Sequence, residues 1–189
     1  MDHKLSDHIR TVNDRGHKSD LLKLCREVKE ETGAEIQNAR LLTNAELQGT
    51  LGRHCKNRID LNKDRLFKSK DQLAEAAITA IHEAYHAKGR RKSGIRGKGI
   101  RHEGITELGA QKKATALGYR GFSCAYRKAV EGADQIANLI TFDRMMELAD
   151  QKEAPVRLQR EITRALVEKH SMPFEKAAAR AVAMEKAAA

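Results

Sequence analysis

The chain has 189 residues, of which 36 are Lys or Arg and 26 are Asp or Glu, for a formal net charge of +10. That length suits one ordinary globular domain, and the absence of any apolar run near ~20 residues or of an apolar leader after Met1-Asp2-His3-Lys4 excludes a membrane span, so a soluble, cytoplasmic protein is expected. Three widely spaced cysteines, Cys25, Cys55 and Cys124, exclude a disulfide framework or a Cys-x-x-Cys metal knuckle, and 4% aromatic residues with no Trp exclude a base-stacking surface.

Residues 20–32 place Leu21, Leu24, Cys25 and Val28 at helical spacing, and Gly33 supplies a stop. Three short strand-like pieces follow, over 39–42, 49–54 and 57–61, the last two close enough for a hairpin. Ser69 with Gln72 forms a capping box that opens a helix running to 88–89. The stretch from Lys88 to Arg101 then holds seven basic residues, four glycines and no acid, which predicts a cationic loop. A second helix is expected from Glu103 to Leu117, ended by Gly118, with further helices over 123–150, 154–169 and 172–187. The fold class is therefore α+β: a mainly helical domain with a small antiparallel or mixed sheet beside one long helix. Residues 1–122 form the core and 123–189 a helical extension.

The long helix carries His82-Glu83-Ala84-Tyr85-His86, an HExxH pattern. Side chains four apart share a helical face roughly 6 Å from each other, so both imidazoles reach one metal ion while Glu83 projects toward a water on that ion. A solvated face that happens to carry two histidines is the bland alternative. Against it, only Glu75 and Glu83 are charged between Gln72 and Ala87, in a chain that is 33% charged, which predicts a helix covered on both sides.

The covering element is expected to be the helix of Glu107. Glu107, Ala110, Gln111, Ala114 and Leu117 share a face on which a carboxylate stands among small residues. Two neutral imidazoles and one carboxylate leave a fourth tetrahedral position for water, the open arrangement of a catalytic zinc site. One Zn2+ per chain on His82, His86 and Glu107 is expected.

The HEAYH sequence, a gap of 20 residues and an E-x-x-A-x-x-x-A helix ending in Leu-Gly resembles the gluzincin metallopeptidases, especially compact intracellular ones of the ImmA/IrrE type, over about residues 35–118. The resemblance implies a zinc-dependent hydrolysis of peptide bonds in which Glu83 is the general base, and an extended substrate along an edge strand containing Ile59 and Leu61. The chain departs from these families at Gln111, where they place Asp or Asn beside a zinc-ligand histidine. Two other ligand sets compete with this one. The metzincin pattern fails at Lys92, which cannot ligate. The SprT-like zincins use a later histidine, for which His102 is the candidate. An oxyanion donor is also required, with Tyr119, Tyr126 and His102 as candidates. The expected partners are a protein or peptide substrate and no membrane. Lys88–Arg101 is either a nucleic-acid or acidic-partner element, in which case a non-catalytic binding protein is the competing function, or a solvated connector.

Overall fold

A computed structural model describes residues 18–34, 36–55, 57–66, 70–88, 102–117, 126–151 and 153–189. They form an α+β fold in the order α1 (Lys18–Thr32), β1 (Asn38–Leu42), β2 (Gly52–Cys55), β3 (Arg58–Asn62), α2 (Lys63–Leu66), α3 (Lys70–Lys88), α4 (Glu103–Ala116), α5 (Arg127–Ile140), α6 (Phe142–Ala149), α7 (Ala154–His170) and α8 (Phe174–Ala187). No helix among the described residues is long and apolar enough to cross a membrane. Ser69 and the basic residues of 89–101 lie outside the described residues.

The described residues fall into two units. The first comprises those up to Lys88 together with Ala110–Leu117; the second comprises His102–Gly109 with those from Tyr126 onward. Helix α4 contributes to both.

In the first unit the sheet order is β1-β3-β2, with β1 parallel and β2 antiparallel to β3. The expected hairpin is thus β2–β3, in the register Gly52↔Leu61 and His54↔Ile59. The strand bearing Ile59 and Leu61 is central, which corrects the expectation that it forms an edge. The chain leaves β1 through a turn at 44–49 and returns to pair β3 on the side opposite β1, so β3 is hydrogen-bonded along both margins. Helix α3 packs on β2 and β3, and α1 packs on α3 and β1.

Strand alternation sends Ala39, Ile59 and Leu61 into a core shared with Cys25, Val28, Ile36, Leu66, Ile78 and Ile81. Every residue from Ala76 to Ala84 in α3 is buried, the polar Thr79, His82 and Glu83 included. The scarcity of charge in this stretch is explained: alanines at 76, 77, 80 and 84 let neighbouring backbone approach on more than one side.

Burial pushes the Cys25 thiol up from 9.0 to about 12, against a smaller downward effect of a backbone hydrogen bond. A raised folded-state pKa gives stability that is complete below the unfolded value and lost as pH rises toward the folded one. Stability toward urea is therefore expected to fall between pH 9 and 12, and Cys25→Ala to flatten that fall. Equal alkaline slopes in the two proteins would remove Cys25 as its source.

The second unit is all-helical. α5, α7 and α8 pack on one another, α6 lies on α5 and α7, and the interior is built from Ala133, Ile136, Met145, Leu158, Ile162, Ala177 and Ala181. The helix expected over 123–150 is broken at Thr141, whose φ of 73° ends α5 and whose hydroxyl accepts from the Arg144 amide at the start of α6. The residues that follow α8 cap α4: the amides of Glu103 and Gly104 donate to the carbonyls of Ala189 and Ala188 at 3.2 and 3.0 Å, satisfying donors that a helix start leaves open.

Gly104 is required by this closeness. A Cβ there would stand 2.1 Å from the Ala129 carbonyl oxygen of α5, and backbone cannot swing aside as a side-chain tip can. Gly104→Ala is expected to cost about 2–3 kcal/mol of stability, read as a lowered urea midpoint. An unchanged midpoint would contradict the contact.

Candidate metal centre

The HEAYH segment lies in α3 where the helix is most enclosed. His82 and Glu83 are buried and His86 is half-buried. One turn apart, the two histidines converge: their Nε2 atoms are 2.9 Å from each other and their rings meet edge to face, with centroids 4.6 Å apart. Two ring nitrogens this close either share a proton or share a cation, since two bare lone pairs repel. The structure thus brings together His82, His86 and Glu83 in the arrangement expected from their spacing.

A third histidine belongs to the same place and was missed from sequence. His54 of β2 stacks on His86 with ring centroids 6.1 Å apart, and its Nδ1 is 3.9 Å from Glu83 Oε2. It stands 28 residues before His82, with no periodic relation to it. The available signal was alternation: Gly52 and His54 share one face of β2, and that face meets α3. Gly52 opens the space. A Cβ on it would come within 2.6 Å of Thr79 Cγ2 and within 3.2 Å of Glu83 Cγ, so the glycine sets where the Glu83 side chain can lie. Tyr85, on the flank of this helix, has its hydroxyl pKa raised, chiefly by burial.

The C-terminal half of α4 joins the core of the first unit through Ala110 and Ala114, with Leu117 packed alongside. Glu103, Glu107, Ala110 and Ala114 follow one another at spacings of four, three and four, which is a single helical stripe. Glu107 is almost wholly buried, and Glu103 half-buried. Gln111 is half-buried in the next turn.

His102, just before α4, is 1% exposed. Its Nε2 is 2.5 Å from Glu185 Oε1, and the other Glu185 oxygen accepts from Gln159 Nε2 at 3.2 Å. The His102 Nδ1 is buried with no hydrogen-bond partner among the described residues. This carboxylate partner on α8, 83 residues away, had no signature in the sequence. Tyr126 takes the left-handed conformation, φ 57°, at the start of α5 and is exposed. Tyr119 lies outside the described residues.

Comparison with protein-family models, with curated proteins and with solved structures finds no match to the chain. The functional reading accordingly rests on the chemistry of these side chains.

Proposed function

We propose that the chain is a zinc-dependent metallopeptidase acting on a protein substrate, with Zn2+ on His82 and His86, an α4 carboxylate as third protein ligand and Glu83 as general base. The observation that carries this reading is the 2.9 Å approach of the two Nε2 atoms beside a buried carboxylate on the same helix. Ligand nitrogens on a tetrahedral zinc stand ~3.3 Å apart, so a shift of a few tenths of an ångström fits the pair to the ion. Nitrogen and carboxylate donors are the set zinc takes at catalytic sites.

Helix α4 offers two carboxylates one turn apart. The resemblance to gluzincins implies Glu107, and Glu103, one turn before it on the same helix, is the competing carboxylate. Alanine substitution of each separates them, because the ligand's loss lowers metal affinity by orders of magnitude and its neighbour's loss does not.

Zinc, when bound, polarises the scissile carbonyl and lowers the pKa of an attacking water to about 7. Glu83 takes the proton from that water and delivers it to the departing amine. His54 borders the Glu83 carboxylate from β2 and limits its swing. Tyr126 is the donor proposed for the developing oxyanion; the His102 imidazole spends its N–H on Glu185 Oε1 and presents a lone pair, not a proton, at Nδ1. The proposed substrate path is an added strand along β2, the margin of the described sheet next to α3, since the strand bearing Ile59 and Leu61 is central. A reducing cytoplasm is the proposed setting, in keeping with Cys25 and Cys55 as free thiols.

The experiment is cleavage of casein by the zinc-loaded protein compared with its Glu83→Gln variant. A second variant tests the geometry: Gly52→Ala is expected to keep zinc and to lower kcat by about 10²-fold, because it displaces the base without touching a ligand. Full activity in Gly52→Ala would show that Glu83 is not held by β2.

A further inference from the structure

The sheet face turned away from α3 carries a cationic cluster that the peptidase reading does not use. Arg40 of β1, Asp60 of β3 and Arg53 of β2 are direct register partners across the three strands, and Arg58 lies two residues before Asp60 on the same face. All three arginines bond the one carboxylate: Arg40 through Nε and Nη2 at 3.0 and 3.3 Å, Arg58 through Nε and Nη2 at 2.8 and 3.4 Å, and Arg53 through Nη2 at 3.3 Å. None of these bonds uses an Nη1.

The exposures are unequal in a telling way. The Asp60 side chain is 0% exposed, while those of Arg40, Arg53 and Arg58 are 45%, 50% and 30% exposed. Burial by itself would raise the Asp60 carboxyl pKa, but the hydrogen bonds from Arg40 and Arg58 outweigh it and hold the group below the ordinary aspartate value. The anion is a concealed anchor, and the three guanidinium forks held on it carry two positive charges in excess of its own.

We propose that this face is a binding surface for the phosphodiester backbone of double-stranded nucleic acid. Planar guanidinium forks match pairs of phosphate oxygens, and tethering to Asp60 removes much of the side-chain freedom that binding would otherwise cost. No Phe, Tyr or Trp stands in any of the three strands. The face can therefore grip phosphates but cannot stack bases, which favours a duplex over a single strand and sequence-independent binding over base reading. A net charge of +10 on the whole chain draws the same partner.

The test is fluorescence anisotropy of the full chain with a labelled 24-base-pair DNA duplex from 50 to 200 mM salt. Each phosphate contact adds about 0.9 to the salt slope on duplex DNA. Arg40→Gln/Arg53→Gln is thus expected to weaken binding about tenfold and to make the slope shallower by about 1.8. Should circular dichroism show that the double variant has lost its fold, Arg53→Gln, which removes one long hydrogen bond, is expected to weaken binding about threefold and the slope by about 0.9. The proposal is overturned by absence of duplex binding at 50 mM salt, or by an unchanged slope in a folded variant. It is equally overturned if single-stranded DNA, a phosphopeptide, phosphatidylserine vesicles or millimolar inorganic phosphate at matched ionic strength occupies the face more tightly than the duplex.

Discussion

Glu83→Gln is expected to keep its zinc and its fold while losing peptide hydrolysis by about 10³-fold. The amide is nearly isosteric with the carboxylate, so the packing of the Glu83 side chain against the space left by Gly52 is preserved. What changes is proton affinity: an amide cannot accept the proton of the attacking water, nor carry it to the leaving amine. The flanking histidines, proposed to ligate through nitrogens one turn apart, are untouched by the exchange. Three readings on one preparation decide the matter, namely zinc content, thermal midpoint and kcat on casein. Equal cleavage by both proteins would remove Glu83 from the chemistry, and a loss of zinc along with activity would recast it as a structural partner of the ligands.

The sequence revealed the part of this centre that lies within one helix. A spacing of four residues fixes His82 and His86 on one face, and the thin charge of the surrounding stretch announced that α3 would be covered, as its unbroken burial from Ala76 to Ala84 bears out. The hairpin of β2 and β3 was legible for the same local reason. Strand order was not, because the placement of β1 beside β3 depends on how a turn returns the chain. With that order went His54 and the four members of the arginine cluster, which only sheet register brings together. The break at Thr141 was hidden too, since apolar residues continue on both sides of it through Ile136, Ile140, Met145 and Leu148. The pairing of His102 with Glu185 belongs to the packing of α8 within the second unit, and no local pattern anticipates a contact of that range.

Zinc stoichiometry tests the central claim most directly. The Nε2 atoms of His82 and His86 converge in a way suited to one ion, and removal of either imidazole leaves too few donors to hold it, since a catalytic zinc site needs three protein ligands. The protein, stripped with chelator, reloaded with limiting zinc and passed through a desalting column, is expected to carry close to one zinc per chain by plasma emission. His82→Ala and His86→Ala are each expected to bind at least about 10²-fold more weakly and to emerge from the same column without metal. Far-ultraviolet circular dichroism on both variants checks that they retain their helices. One zinc per wild-type chain and none in either folded variant is the predicted result; retention of stoichiometric zinc by either variant would contradict the assignment of the metal to these two histidines.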